Sequence, residues 1–222
     1  MLVKPAGILV QETCRRVGRQ SIRGGERCVE SILTDWVRKG QARSRRRVYL
    51  VHRLDRDTSG VMMVAKTEEA QDYFRSRWAE VTEKTYLTRV EGELPAEEGV
   101  FESYLVEEDD MRVHSTADRT RGRFARTEWK VLSGGARPLV EVALKTGRKN
   151  QIRVHFAEAG HPVVGDVKYG RARGRERMCL HAWKLAFAHP RTGERLAFET
   201  APPDFAGRFF TLLRKAAVSA TI

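Results

Sequence analysis

The chain has 222 residues, about the size of one large domain or two small ones, and its 41% hydrophobic content is typical of a folded protein. No stretch approaches the roughly 18–20 consecutive apolar residues of a membrane span, and the first 20 residues lack the apolar core of a secretory leader. Three scattered cysteines, Cys14, Cys28 and Cys179, favour neither a disulfide framework nor a zinc cluster. We therefore expect a soluble, cytoplasmic protein.

Basic residues dominate the charge. Lys and Arg number 41 against 29 Asp and Glu, so the formal net charge is +12. Residues 1–50 and 111–222 are basic, whereas residues 51–110 carry 7 basic and 16 acidic residues. The arginines gather in three clusters, at Arg43, Arg45, Arg46 and Arg47, at Arg119, Arg121, Arg123 and Arg126, and at Arg171, Arg173, Arg175 and Arg177. Because guanidinium groups pair with phosphate oxygens and stack on bases, this clustering favours a nucleic-acid partner.

The first part of the chain predicts short strands and two helices. In order, these are a strand within 1–11 that the turn Pro5-Ala6-Gly7 divides into two extended pieces, a helix over 27–38, strands over 48–52 and 60–66, and a helix from 67 to 80. Trp36 belongs to the apolar positions at helical spacing, so it is predicted to pack in the core. Thr67 is the predicted N-cap of the second helix, because Glu68 and Glu69 follow it.

Strands predominate in the remainder. They are predicted over 85–91, 101–106, 111–115, 124–132, 139–145, 179–188 and 195–199, with helices over 150–159 and 204–217. Since strands outnumber helices and several are adjacent, the sequence predicts an α+β fold with a large mixed or antiparallel sheet flanked by helices and loops. No repeat or linker interrupts it, so one domain over residues 1–222 is expected.

Two polar stretches are candidates for chemistry. The first is the loop His52-Arg53-Leu54-Asp55-Arg56-Asp57-Thr58-Ser59-Gly60 between two predicted strands, where active-site residues are commonly displayed. Composition alone favours turn and capping roles there, with Asp55 paired to a surface arginine. The second stretch runs from Thr146 to Phe156 and continues through residues 160–170. Neither contains a phosphate-binding glycine loop, a dinucleotide fingerprint, a metal-binding helix or a serine-hydrolase elbow.

Together these stretches resemble the RluA-type pseudouridine synthase family. The resemblance runs in order from residue 2 to about residue 205. The motifs that carry it are Lys4-Pro5-Ala6-Gly7, His52-Arg53-Leu54-Asp55, Thr58-Ser59-Gly60, Glu83-Lys84-Thr85-Tyr86, Thr146-Gly147-Arg148, Gln151-Ile152-Arg153, Gly160-His161-Pro162, Gly165-Asp166, Tyr169-Gly170 and Leu180-His181-Ala182. Val3 stands where the family usually has Asn, and Asn150 where it usually has His. The S4-like RNA-binding domain of many relatives is expected to be absent.

The resemblance implies an isomerase that detaches uracil from C1′ of the ribose, rotates it and rejoins it through C5, with no metal or organic cofactor. Asp55 would be the catalytic carboxylate, and whether it attacks a carbon or removes a ribose proton stays open. Arg153 would be its ion-pair partner, since a nearby arginine favours the ionised form of a carboxylate in an apolar pocket. Tyr86 would stack on the uracil, although spacing alone favours a core aromatic. Ile152 and Leu180 would form apolar pocket walls.

A uracil in folded RNA is stacked, so the resemblance also implies that the enzyme extrudes it, at a cost of a few kcal/mol. Arg53 resembles the family arginine that fills the vacated space, and His52, Arg56 and Arg148 are further predicted RNA contacts. The expected substrate is ribosomal or transfer RNA, bound by a monomer without membrane contact. A non-catalytic RNA-binding protein on the same fold is the alternative. It would not need the set Asp55, Tyr86 and Arg153. A basic DNA-binding or ribosome-associated protein is disfavoured by the number of ordered motifs.

Overall fold

Two groups of strands and helices make up the computed structural model, which describes residues 1–12, 14–17, 20–23, 26–41, 43–171, 176–201 and 203–207. The first unit comprises Met1–Thr82 and Phe187–Leu196, and the second comprises Glu83–Ala186 and the described residues from Ala197 onward. The expectation of a single domain stays a prediction. Among the described residues, no helix is long and apolar enough to cross a membrane.

The first unit begins with a strand that fixes the position of the candidate loop. Its elements are β1 (Leu2–Lys4), β2 (Cys14–Val17), β3 (Gln20–Arg23), α1 (Val29–Arg38), β4 (Tyr49–Leu50), β5 (Ser59–Met62), β6 (Val64–Ala65) and α2 (Glu68–Val81). Strand β1 runs antiparallel to β5, with Lys4 opposite Gly60. The pairs β2–β3 and β4–β6 are also antiparallel. The end of β1 is therefore paired with the start of β5, where the candidate loop ends.

Helix α2 agrees with its prediction, and α1 agrees only in part. The Thr67 side chain accepts a hydrogen bond from the Ala70 N–H, so it is the predicted N-cap. Helix α1 ends as predicted, but Trp36 is 75% exposed, so its predicted core position is wrong. The main-chain hydrogen bonds to Leu9 and Val10 hold only the first turn of α1, and Trp36 lies two turns beyond them. Helical spacing identified a face of α1 but not how far along the helix that face is covered.

Seven paired strands make up most of the second unit. The elements are β7 (Thr82–Arg89), β8 (Glu98–Glu107), β9 (Val113–Thr116), β10 (Arg123–Ser133), β11 (Leu139–Leu144), α3 (Gln151–Glu158), β12 (Leu180–Ala188) and β13 (Arg195–Glu199). Its strand order is β12, β7, β11, β10, β8, β9, with β13 beside β12. The pairs β7–β11, β11–β10, β10–β8 and β8–β9 are antiparallel. The predicted α+β class with a large, mainly antiparallel sheet is confirmed.

Helix α3 forms part of the core of the second unit. All six residues from Gln151 to Phe156 are buried, as in a helix that is covered on every side. Ile152 and Phe156 share one apolar cluster with residues of the sheet, among them Trp129 and Val142. This packing explains how a helix of only eight residues is held in place, since so short a helix is unstable in isolation.

Other predicted elements differ in detail. The strand predicted over 60–66 divides into β5 and β6, because the Met63 N–H bonds to the His52 ring instead of a neighbouring strand. The second extended piece predicted within 1–11 forms no strand, and the β2–β3 hairpin was not predicted. A short 3₁₀ helix spans Asp204–Ala206, and the rest of the helix predicted over 204–217 lies almost entirely outside the described residues.

Candidate active site

The loop between β4 and β5 displays Asp55 between buried neighbours. Leu54 is 5% exposed and Thr58 is 2% exposed, so both side chains are packed inside the first unit. The Thr58 N–H donates to the Asp55 carbonyl at 3.2 Å and closes a turn. Asp55 itself is only partly buried. The loop therefore holds this carboxylate on a fixed backbone and leaves it within reach of a ligand.

Lys4 is the main anchor of this loop. Its side chain is fully buried, and Nζ donates to the carbonyl oxygens of Pro5, Ile8 and Arg56 at 2.8, 2.9 and 2.8 Å. Burial lowers the pKa of Lys4 to about 8, although the negative charges of Asp57 and Asp55 oppose that shift. Since an ammonium group has three donors, all of its hydrogen-bonding capacity is used on the backbone. One cation thus ties β1 to the loop and adds positive charge near its two aspartates.

The three predicted RNA contacts of this loop have different surroundings. His52 accepts a hydrogen bond from the Met63 N–H at Nε2 and stacks on Trp78, with 4.5 Å between ring centroids. Arg56 donates to the Gly7 carbonyl and pairs with Glu26. Arg53 is exposed. His52 and Arg56 therefore have contacts that stabilise the loop. The RNA contacts of His52, Arg53 and Arg56 stay predictions.

The second unit brings three other predicted site residues together. Ile152 and Leu180 are each 4% exposed and belong to one buried apolar cluster. Tyr86 is partly buried and packs against the same cluster. A partly exposed tyrosine ring on an apolar base is the arrangement that could stack on a nucleobase. Their clustering is consistent with the predicted pocket walls, whose role stays a prediction.

Arg153 forms a buried, bidentate ion pair with Asp166. Nε donates to Oδ2 at 2.7 Å and Nη2 donates to Oδ1 at 2.8 Å. Oδ1 also accepts the backbone N–H groups of Lys168 and Tyr169, at 2.8 and 3.0 Å. Burial acts to raise the pKa of Asp166, but these hydrogen bonds and the charge of Arg153 outweigh it, so the pKa is lowered. Asp166 thus fixes the guanidinium plane.

Gln151 positions the start of α3. Its Oε1 accepts hydrogen bonds from the Thr146 hydroxyl and from the Arg148 N–H, and its Nε2 donates to the Arg126 carbonyl and to the Thr127 hydroxyl oxygen. The loop before the helix is therefore fastened to β10. The Arg148 side chain donates from Nε to the Phe124 carbonyl at 2.9 Å, so this predicted RNA contact also bonds within the unit.

Asn150 precedes α3 in the left-handed backbone region, at a φ of 53°. Asn adopts this region more readily than most residues. Its Oδ1 accepts a hydrogen bond from the Tyr169 hydroxyl at 3.1 Å. The departure from the usual histidine thus leaves a residue that fits both the backbone and its neighbour.

The described contacts assemble the predicted residues in two groups. Asp55, Arg53, His52 and Arg56 lie in the loop of the first unit, whereas Tyr86, Arg148, Ile152, Arg153 and Leu180 lie in the second. The predicted pairing of Asp55 with Arg153 would join the two groups, and it stays a prediction. Lys4 and Asp166 were assigned no role from the sequence, although both lie in motifs that carry the resemblance. A lysine within an apolar strand and an aspartate after a glycine were the available signals.

The motif order and this geometry agree with a known family. The family model described as RNA pseudouridylate synthase matches residues 1–158, which include the Asp55 loop, Tyr86 and Arg153. The chain therefore belongs to the RNA pseudouridylate synthase family. The predicted resemblance to its RluA-type members is confirmed by relatives that carry that name.

Two relatives illustrate the similarity. The Ribosomal large subunit pseudouridine synthase D of Neisseria meningitidis serogroup A is 36% identical over 182 residues, which cover 76% of this chain and 49% of that protein. The Dual-specificity RNA pseudouridine synthase RluA of Escherichia coli O157:H7 is 38% identical over 161 residues, which cover 70% of this chain and 73% of that protein. This chain thus spans about half the length of the first of these relatives.

Solved structures show the same fold. Human RNA Pseudouridylate Synthase Domain Containing 4 aligns with a TM-score of 0.70 and 24% sequence identity, over 96% of this chain and 88% of that one. Human RNA Pseudouridylate Synthase Domain Containing 1 aligns with a TM-score of 0.64 and 23% sequence identity, over 87% of this chain and 84% of that one. At these identities the likeness concerns the fold alone, and it agrees with the α+β class.

Proposed function

We propose that this chain isomerises uridine in structured RNA to pseudouridine, with Asp55 as the catalytic carboxylate. The observation that carries the proposal is the position of Asp55 within the family match, on a loop that buried Lys4 fastens to the body of the first unit. Such fastening suits catalysis, because a reacting group must be held in one geometry. The work of Asp55 is either attack on a carbon or removal of a ribose proton.

The other predicted residues complete the proposed site. Arg153, its plane fixed by Asp166, pairs with Asp55 and favours the ionised carboxylate. Tyr86 stacks on the extruded uracil, and Arg53 occupies the space that the base leaves. The RNA is ribosomal or transfer RNA. The name of the Neisseria relative supports a ribosomal substrate, and the basic composition supports an RNA partner in general. We expect a monomer that acts in the cytoplasm and needs no cofactor.

The test compares Asp55→Asn with Asp57→Asn, a matched change at an exposed aspartate two residues further along the same loop. Pseudouridine is mapped in total RNA from cells that lack the gene and express the wild type or either variant. We expect Asp55→Asn to abolish the new pseudouridine while RNA binding is retained, and Asp57→Asn to form it at near the wild-type level.

Two results would overturn the proposal. Substantial pseudouridine formation by Asp55→Asn would remove Asp55 from the chemistry. A wild-type protein that binds RNA but forms no pseudouridine in total RNA would favour the alternative, a non-catalytic RNA-binding protein. The mapped position also identifies the substrate RNA.

A further inference from the structure

A cavity of about 450 Å³ lies beside β4 in the first unit, and three arginines line it. They are Arg47 before β4, Arg53 in the candidate loop and Arg75 on α2. Tyr49 and Glu30 also line the cavity. Its volume is within the range of small-ligand sites. Three arginines, two of them six residues apart and the third on α2, thus line one concave surface.

Two of these arginines are available to an anion. Arg53 and Arg75 are exposed, and within the described ranges no carboxylate lies within ion-pair distance of either one. Arg77, on the same helix as Arg75, instead pairs with Glu80 through Nη2 and Oε1 at 2.6 Å. The Arg47 guanidinium lies over the Tyr49 ring, 4.8 Å from its centroid. A stacked guanidinium keeps its edge N–H groups for an acceptor.

A neighbouring cavity of similar volume has the opposite character. It shares Arg47 and Glu30 with the first one, but it is also lined by Glu12 and Asp35, and its further arginine is Arg38. Carboxylates repel a phosphate group, so the adjoining cavity does not suit one. The positive charge is therefore concentrated in the cavity that Arg53 and Arg75 share.

We propose that this arginine-lined cavity is a subsite for one phosphodiester group of the RNA strand, beside the nucleotide that Asp55 acts on. Arg53 and Arg75 donate to the phosphate oxygens. The planar Arg53 guanidinium donates from its edge while its face stacks in the space that the base leaves. The Arg47–Tyr49 stack forms a wall on which the attached nucleoside rests. Because Arg53 is two residues before Asp55, an occupied subsite would fix the register of the strand at the loop. The proposal rests on the proposed function for the identity of the polymer.

The first experiment measures the affinity of the full chain for a fluorescein-labelled, single-stranded 12-nucleotide RNA over a range of salt concentrations. We expect Arg75→Ala to weaken binding about fivefold at low salt, as for one exposed ion pair. It should also reduce the slope of log affinity against log salt by about 0.7, as for one phosphate contact. Arg75→Lys should retain most of the RNA affinity and most of the salt slope. Arg77→Ala, the matched control, removes the same charge from the same helix and should leave the slope unchanged.

Equal effects of Arg75→Ala and Arg77→Ala would overturn the proposal, because they would show that only the overall charge of α2 matters. The comparison requires no turnover, so it is independent of the test of Asp55. If the wild type forms no pseudouridine but Arg75→Ala still reduces the salt slope of RNA affinity, the proposed function is rejected and the subsite is kept. An absent Arg75 effect in an active enzyme would reject the subsite alone.

The second experiment distinguishes a nucleotide from a free anion. The Nε–H signals of Arg53 and Arg75 are followed by NMR while the dinucleotide UpU or inorganic phosphate is added. We expect UpU to shift both signals together, with the Arg77 signal unchanged, and inorganic phosphate to do so only at concentrations at least about tenfold higher, because it makes no contact with the Arg47–Tyr49 wall. Equal potency of inorganic phosphate, or no shift with UpU, would overturn the proposal.

Discussion

At the scale of single residues, Asp166 is expected to act on catalysis through Arg153. In Asp166→Asn, the amide nitrogen at the position of Oδ2 would face the Arg153 Nε–H, so two donors would meet. Breaking a buried pair in this way costs about 3 kcal/mol. A displaced Arg153 should lower the single-turnover rate about 100-fold. Rate, RNA affinity and thermal unfolding of the variant are measured together.

The control for this prediction is Asp72→Asn, which changes an exposed aspartate of α2. It should leave rate and stability unchanged. RNA affinity within about twofold of the wild type in Asp166→Asn would separate a positioning effect from general damage. The prediction fails if the rate of Asp166→Asn is close to that of the wild type, or if rate and affinity fall in the same proportion.

A second residue, Lys84, is predicted to make stability depend on pH. Lys84 is 7% exposed, and burial, with a smaller contribution from the charge of Arg148, lowers its pKa to about 8. Below pH 8 the residue is charged in both the folded and the unfolded chain, so the whole desolvation penalty is present. From about pH 8 to 10.5 the unfolded chain binds more protons, so stability rises with pH.

The variant Lys84→Met removes this penalty. It is expected to be more stable than the wild type by up to about 3 kcal/mol at pH 7. The difference should diminish as the pH rises from 8 towards 10.5. Urea unfolding at several pH values measures this difference in stability. Lys130→Met, at an exposed position of β10, is the control, and its difference in stability from the wild type should not change with pH. A constant advantage of Lys84→Met across this range would show that burial does not lower its pKa.

The residues of the site could be named from the sequence, but their contacts could not. The ordered motifs predicted Arg153 and included Asp166. Nothing in their spacing of 13 residues showed that the fold would pair them, because a turn beyond α3 brings the carboxylate back to the helix. Lys4 likewise belongs to a predicted strand, and its role follows only from a contact with Arg56, 52 residues away.

At the scale of elements, local signals predicted what local interactions decide. The N-cap Thr67 and its acidic first turn fixed the start of α2, since capping depends on neighbours in sequence. Trp36 in α1 was misplaced because its burial depends on what packs against the helix. The division of the strand after Asp55 required a histidine 11 residues upstream of Met63. Such contacts leave no periodic pattern in the sequence.

The turn that carries Asp166 gives the prediction at this scale. Gly165 has a φ of +78°, and a Cβ there would lie within 3.0 Å of the Arg177 carbonyl and the Met178 nitrogen. The turn cannot move aside easily, because the Val164 N–H donates to Arg89 and the Val164 carbonyl accepts from Cys179. Gly165→Ala is therefore expected to cost about 2–4 kcal/mol, from left-handed strain and overpacking combined.

Gly135 offers a matched control in the turn between β10 and β11. Its φ is +101°, but a Cβ there would meet no atom within 4 Å. Gly135→Ala should therefore cost only the strain, about 1 kcal/mol. Urea unfolding of both variants gives the comparison. Equal losses would show that the crowding around Gly165 is relieved without cost.

At the scale of the whole molecule, the arginine clusters do not present uniform charge. The cluster at 119–126 contains two arginines that are already paired, since Arg121 bonds to Glu108 and Arg126 bonds to Glu102 and Glu128. These glutamates come from the acidic middle segment and from β10 itself. The sequence showed the clustering of arginines but could not show which of them the sheet pairs with carboxylates.

Arg119 and Arg123 complete this cluster without an ion pair among the described residues, and the Arg119 guanidinium lies 5.3 Å from the centroid of the Tyr104 ring. They are expected to contact RNA phosphates, so the double variant Arg119→Ala/Arg123→Ala should reduce the salt slope of RNA affinity by about 1.4–1.8. Arg121→Ala/Arg126→Ala removes the same two charges, and affinity should fall in both double variants. The salt slope of Arg121→Ala/Arg126→Ala should change by less than half as much as that of Arg119→Ala/Arg123→Ala. The reason is that an arginine already bound to a carboxylate releases fewer counterions from RNA. Anisotropy titrations of both double variants over the same salt range measure these two slopes. Equal slope changes would show that the ion pairs open freely and that the cluster binds RNA as a whole.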